Sequence, residues 1–138
     1  MLSTQMPTTK MKTSESAYLL NEVALEEITA LAQQSLPNET GGVVFPELVD
    51  GSWVAEVPNH SSEPATGMWM EPDDLRTVVM KWAALTSWPD WSRLILWHSH
   101  PGGNIGPSRQ DIKNRVPNVG NLVVSLDPVT REGIPTFF

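Results

Sequence analysis

The sequence predicts an α/β fold, a sandwich of helices packed around a sheet, on three observations. Segments with helical periodicity alternate with segments that read as strands. Three continuous apolar runs, Val43-Val44-Phe45, Leu94-Ile95-Leu96-Trp97 and Leu122-Val123-Val124, have the length and composition of buried strands. A chain of 138 residues, 40% hydrophobic and 18% charged, can bury one core and is too apolar for a disordered chain.

Each element has its own signal. From Asn21 to Ser35, Leu25, Ile28, Leu31 and Ala32 recur at three- and four-residue steps; Asn21 can cap the helix and Pro37 ends it. Glu39-Thr40-Gly41-Gly42 leads into the first buried strand. Gly51 marks a turn, and Trp53 to Val57 alternates like the returning strand of a hairpin. Asn59 to Gly67 is polar and reads as a loop. Pro72 opens a second helix, with Asp73 and Asp74 in its first turn and Leu75, Val78, Val79 and Trp82 on its apolar face. Ser87 to Asp90 is a turn, and Leu94 to Trp97 a central strand. Pro107-Ser108 precedes a short third helix. The strand at Leu122, a turn from Asp127 to Gly133 and a last strand from Ile134 to Phe138 complete the chain. No repeat or second domain is evident. Met1 to Ser16 is rich in Thr, Ser and Lys and is expected to be a disordered lead-in (residues 1–16), leaving one domain over residues 17–138.

Composition excludes several functions. The net charge is −7 and no Lys/Arg cluster occurs, so nucleic acid is not expected as a partner. Cysteine is absent, which removes a disulfide framework, a thiol nucleophile and every Cys-ligated zinc site. No stretch has the apolar length of a transmembrane helix or a signal peptide, so no membrane partner and a cytoplasmic location are expected.

The chemistry gathers around His98-Ser99-His100. Residues two apart on a strand point to the same face, so both imidazoles can converge while Ser99 faces away. Pro101-Gly102-Gly103 ends the strand. Seven residues separate His100 from Ser108, and Asp111 lies one helical turn beyond Ser108. Two imidazoles and a carboxylate are a workable zinc set with a position left for water. Glu39, between a helix end and a Gly-Gly step, can reach that water from a neighbouring strand. Each feature has a plainer reading: Ser108-x-x-Asp111 as a helix capping box, His-x-His as a hydrogen-bonded pair, Glu39 as a solvated turn residue. Their joint occurrence favours the metal. Other His-x-His chemistries lack their parts here: no Asp-His pair or nearby Glu follows, no cysteines are present, and the chain is short for a barrel amidohydrolase.

The run His98-Ser99-His100, seven residues, Ser108, two residues, Asp111, with the upstream Glu39 in Pro37-Asn38-Glu39-Thr40-Gly41-Gly42, resembles the JAMM (MPN+, JAB1/Mov34) metalloprotease family from about Leu20 onward. That resemblance implies an MPN fold, a cytidine-deaminase-like α-β-α sandwich around a mixed central sheet. It implies Zn²⁺ on His98, His100 and Asp111, Glu39 as general base and Ser108 as oxyanion donor. The implied reaction is hydrolysis of a peptide or isopeptide bond, at the extended C-terminal tail of a ubiquitin-like or similar protein. A non-catalytic or partner-dependent assembly module on the same fold, as in phage tail assembly, is the alternative. Only 27 residues follow Asp111, which leaves no room for the second insertion that grips ubiquitin, so a minimal prokaryotic or phage-type member is expected. Trp82, Trp88, Trp91 and Trp97 are expected in the core and His60 in a polar loop away from the metal; Trp69 and Met70, beside that loop, could instead line a substrate groove, the less favoured of their two readings.

Overall fold

The computed structural model describes residues 8–10, 19–48, 51–84, 94–102 and 104–138. Among these, strand β1 (Thr8–Lys10) pairs antiparallel with β2 (Leu19–Asn21). Within the stretch read as an unstructured lead-in, Thr8–Lys10 is therefore a strand; the rest of that stretch, Trp88, Trp91 and the expected turn at Ser87–Asp90 lie outside the described residues.

Helix α1 (Glu22–Ser35) starts where expected, because the Asn21 side chain accepts the Val23 N–H at 2.8 Å. Its buried stripe is Ala24, Ile28 and Ala32, with Leu25 and Leu31 packed beside it rather than at its centre. Strands β3 (Gly41–Leu48) and β4 (Gly51–Val57) form the predicted hairpin. Helix α2 (Pro72–Ala83) follows, then β5 (Ile95–His100), the short α3 (Arg109–Lys113), β6 (Gly120–Leu126) and β7 (Gly133–Phe137).

The five-stranded sheet has the order β4-β3-β5-β6-β7 and is mixed: β5 and β6 are parallel, the other pairs antiparallel. Its two faces carry separate cores. Ala24 and Ile28 of α1 pack on Val44, Ile95, Trp97, Leu122 and Val124. Trp82 of α2 packs with Val43, Phe45 and Leu94, its ring stacked on Phe45 at 4.7 Å. The result is the expected α-β-α sandwich, with Trp82 and Trp97 both fully buried. None of the described helices is long and apolar enough to cross a membrane.

The two faces alternate along β5. Ile95 and Trp97 point to the α1 side and Leu96 to the α2 side. His98 and His100 therefore continue the α2 face, and Ser99 the α1 face. The sequence placed the strand at Leu94 to Trp97 and the histidines at its end; the strand runs through His100, so both imidazoles stand on regular backbone.

Gly42 is needed where β3 meets β4. A Cβ there would lie 1.8 Å from the Ala55 carbonyl oxygen, which is backbone and cannot step aside. At Gly102 a Cβ meets nothing within 4 Å. Gly42→Ala is expected to destabilise by about 1–3 kcal/mol or more, as overpacking does. Gly102→Ala is expected within about 0.5 kcal/mol of wild type, as for open surface positions. Denaturant melts of the two variants check the contrast.

Candidate metal centre

The antiparallel pairing of β3 with β5 sets Gly41 opposite His98. One step further, Ser99 N–H donates to the Thr40 carbonyl at 2.8 Å, and the Ser99 hydroxyl oxygen accepts the Thr40 N–H at 2.9 Å. That step brings Glu39 alongside His100, and the period of two puts Glu39, His98 and His100 on one face. One ligand atom from each of these three residues lies within 4.8 Å of the others, so they could hold a metal ion. Glu39 is buried at 7% exposure.

Asp111 reaches the same point from α3. Its Oδ2 is 3.2 Å from His98 Nε2 and 3.1 Å from His100 Nε2. The same oxygen accepts the Ser108 N–H at 2.9 Å, and the Asp111 N–H donates to the Ser108 hydroxyl oxygen at 3.0 Å. This is a capping box. The plain reading of Ser108-x-x-Asp111 and the metal reading are thus compatible, because the cap holds the carboxylate toward the imidazoles.

A tetrahedral ion about 2.0–2.1 Å from each donor would hold donors roughly 3.3 Å apart. The two Asp111–imidazole distances, 3.2 and 3.1 Å, are close to that edge. His98 Nε2 is buried without a hydrogen-bond partner among the described residues, since its Asp111 contact has the distance but not the alignment of a hydrogen bond. His100 Nδ1 lies 3.3 Å from the Asn104 carbonyl, which fixes a proton on Nδ1 and leaves Nε2 as the ligand nitrogen of the neutral ring. The residues fit a cation bound among them.

The electrostatics separate the two carboxylates. Burial opposes charge on Asp111, but the hydrogen bond from His100, the close approach and charge of His98 and the Ser108 N–H outweigh it and hold this carboxyl well below the usual range. Burial likewise opposes a charged His100, yet the Asp111 hydrogen bond and the Glu39 charge prevail and raise its pKa. At Glu39 burial dominates: it raises the pKa, the histidine charges offset only part of this, and Asp111 adds repulsion.

A cleft of about 930 Å³ opens over the centre. Its walls include Met68, Trp69 and Met70 from the loop after β4, and Ile105 from the loop after β5. Trp69 and Ile105 are 56% and 55% exposed, so Trp69 and Met70 stand at a groove, the reading that the sequence favours less. The Phe138 ring stands edge-on to His98 at 6.1 Å. His60 instead pairs with Asp74 at 2.9 Å, outside the cluster.

Three contributors escaped the sequence reading: Ser99, which ties Thr40 to β5; Asn104, which orients His100; and Asn59, whose amide donates to the Glu39 carbonyl at 3.0 Å. A serine inside an apolar strand was a readable signal for the first. Asn104 acts through its backbone, which carries no side-chain signature.

A sandwich of this topology, with two histidines at the end of its central strand and a capping Ser/Asp pair facing them, is the MPN class of domain. Residues 21–133 match the family described as prokaryotic homologs of the JAB domain, and the chain belongs to it. No match was found among curated proteins.

Because the raised His100 pKa makes protons compete for Nε2, metal affinity is expected to fall as pH drops through the histidine range and to level off above it. Competition titrations against a chelator from about pH 5.5 to 8 measure this, the span over which histidine charge changes. His98→Ala and Asp111→Asn are each expected to cost more than the roughly 10–100-fold typical of an outer partner.

Proposed function

We propose that the chain is a zinc-dependent peptidase or isopeptidase with His98, His100 and Asp111 as ligands and Glu39 as general base. The observation that carries this is the convergence, in one open cleft, of two imidazoles with two carboxylates of opposite character. Asp111, kept ionised and touching both Nε2 atoms, suits a ligand. Glu39, buried and biased toward its protonated form, suits a proton carrier. Zinc bound there would supply Lewis acidity and a lowered pKa for the attacking water.

The chain's own groups do the rest. Glu39 would accept a proton from the attacking water and deliver it to the leaving amine. The Ser108 oxygen accepts the Asp111 N–H, which leaves its O–H proton free to donate to the developing oxyanion. Asn104 keeps the His100 ring from turning. The apolar walls at Met68, Trp69, Met70 and Ile105 favour an extended polypeptide tail, lying strand-like beside the site, over a small polar substrate. A ubiquitin-like or other extended C-terminal tail is the substrate class this reading names.

Glu39→Gln is expected to bind zinc normally and lose about 10²–10⁴-fold in kcat, the usual worth of a general base. Ser108→Ala is expected to lose about 10²–10³-fold, the usual worth of an oxyanion donor. Turnover of quenched fluorescent peptides by the zinc-loaded chain, with chelated controls, measures both; activity surviving chelation and Glu39→Gln would sink the mechanism. Zinc bound in one-to-one ratio with no turnover, alone or with partners, would favour the non-catalytic module, since the family also holds inactive members. Because Glu39 must be ionised to accept a proton, activity is expected to fall on the acid side as pH drops through its pKa, and Glu39→Gln is expected to remove that limb; a kcat/KM–pH profile checks it.

A further inference from the structure

The register of β3 with β4 sets Gly41 opposite Val57, so continuing it by two residues sets Glu39 opposite Asn59. No backbone ladder bond joins them, because β4 has ended. The Asn59 side chain takes its place. Its Nδ2 donates to the Glu39 carbonyl at 3.0 Å and to the Gly67 carbonyl at 2.8 Å, and lies 3.5 Å from the Pro64 carbonyl. Its Oδ1 accepts the Ser61 N–H at 2.9 Å and the Trp69 N–H at 3.1 Å. The turn so formed presents the Pro64 carbonyl to the Glu39 N–H at 2.7 Å. Both backbone polar groups of Glu39 are therefore held by this loop, one directly by Asn59 and one through the turn that Asn59 folds. The opposite end of the same amide fixes Trp69, a wall of the cleft.

We propose that Asn59 is a positioning residue for Glu39: it fixes the backbone from which the carboxylate projects and locks that backbone to the Trp69 wall of the substrate cleft. The kinetic part rests on Glu39 acting as general base; the anchoring part does not. Asn59 touches no reacting atom. Its effect passes through the placement of a neighbour, and displacements of about 1 Å at such a group can cost on the order of 10²-fold in rate.

Two variants separate anchoring of Glu39 from folding of the loop. Asn59→Ala loses donor and acceptor together. Asn59→Asp keeps an acceptor for the Ser61 and Trp69 N–H groups but places an oxygen against the Glu39 carbonyl. The full chain, loaded with zinc, is compared with wild type and Glu39→Gln by amide hydrogen exchange, zinc titration and kinetics on a randomised pool of quenched fluorescent peptides. In Asn59→Asp the Trp69 amide is expected to stay protected while the Glu39 amide exchanges at least about tenfold faster. Zinc binding should be unchanged, and kcat should fall about 10–100-fold with KM within about twofold. Wild-type exchange at Glu39, or wild-type kcat, in Asn59→Asp would overturn the proposal. So would a loss of activity that follows loss of zinc. A wild-type chain that cleaves no peptide, or a fully active Glu39→Gln, would instead overturn the peptidase reading and leave the exchange result to decide the anchoring.

Discussion

The pairing of β3 with β5 is the constraint on which the centre depends. Gly41 faces His98 across the ladder, and from that one register the rest follows: Thr40 meets Ser99, and Glu39 comes beside His100. A slip of one residue would turn Glu39 to the α1 face and leave the imidazoles on the other. The register is held by burial on both sides. Trp97 and Ile95 are packed under α1, while Val43 and Phe45 are packed under α2, so neither strand can slide without exposing its apolar set. Hydrophobic layers distant from the chemistry thus fix which carboxylate sees which histidine.

Two carboxylates share this small space and are driven apart in character by their surroundings. Asp111 is pinned by a helix cap and faces two imidazoles, so its charge is compensated from both sides. Among the described residues Glu39 has no ion pair, and burial governs it. Placing one anion among donors and the other in a drier pocket is how a single site keeps two carboxyl groups of different proton affinity. His100 Nε2 lies 3.1 Å from Asp111, the position at which a bound cation would meet both groups.

Much of this was legible before any coordinates, because the strongest signals were local. Apolar runs marked β3, β5 and β6, the i and i+2 spacing brought His98 and His100 to one face, and Pro72 with Asp73 and Asp74 marked the start of α2. Other features were not local. The strand Thr8–Lys10 pairs within a stretch too polar to announce it. In α1, Ile28 and Ala32 are buried as read, but Ala24 takes the third place on the stripe and the leucines flank it, since an alanine carries little apolar signal of its own. Glu39 carried no periodic signal. Its place comes from a register that no single segment encodes, and the same is true of Asn59, which resembles any turn asparagine until its partner across the sheet is known.

The position of the centre follows from where the sheet ceases to satisfy its own backbone. Past Gly41 strand β4 has ended and β5 supplies one backbone bond, from the Ser99 N–H to the Thr40 carbonyl, so the Thr40 N–H and the Glu39 carbonyl would be left unpaired in a buried place, at a cost of the order of 1–3 kcal/mol each. Side chains meet them instead: the Ser99 hydroxyl from β5, the Asn59 amide from beyond β4. Side-chain partners can do what a ladder cannot. They hold the strand end in place where no ladder continues on the β4 side, and Glu39 there lines the cleft. The same strand end that makes Ser99 and Asn59 necessary carries Glu39, a wall of the cleft, which is why the residues that could hold a metal and the residues that hold the fold meet at one end of β3.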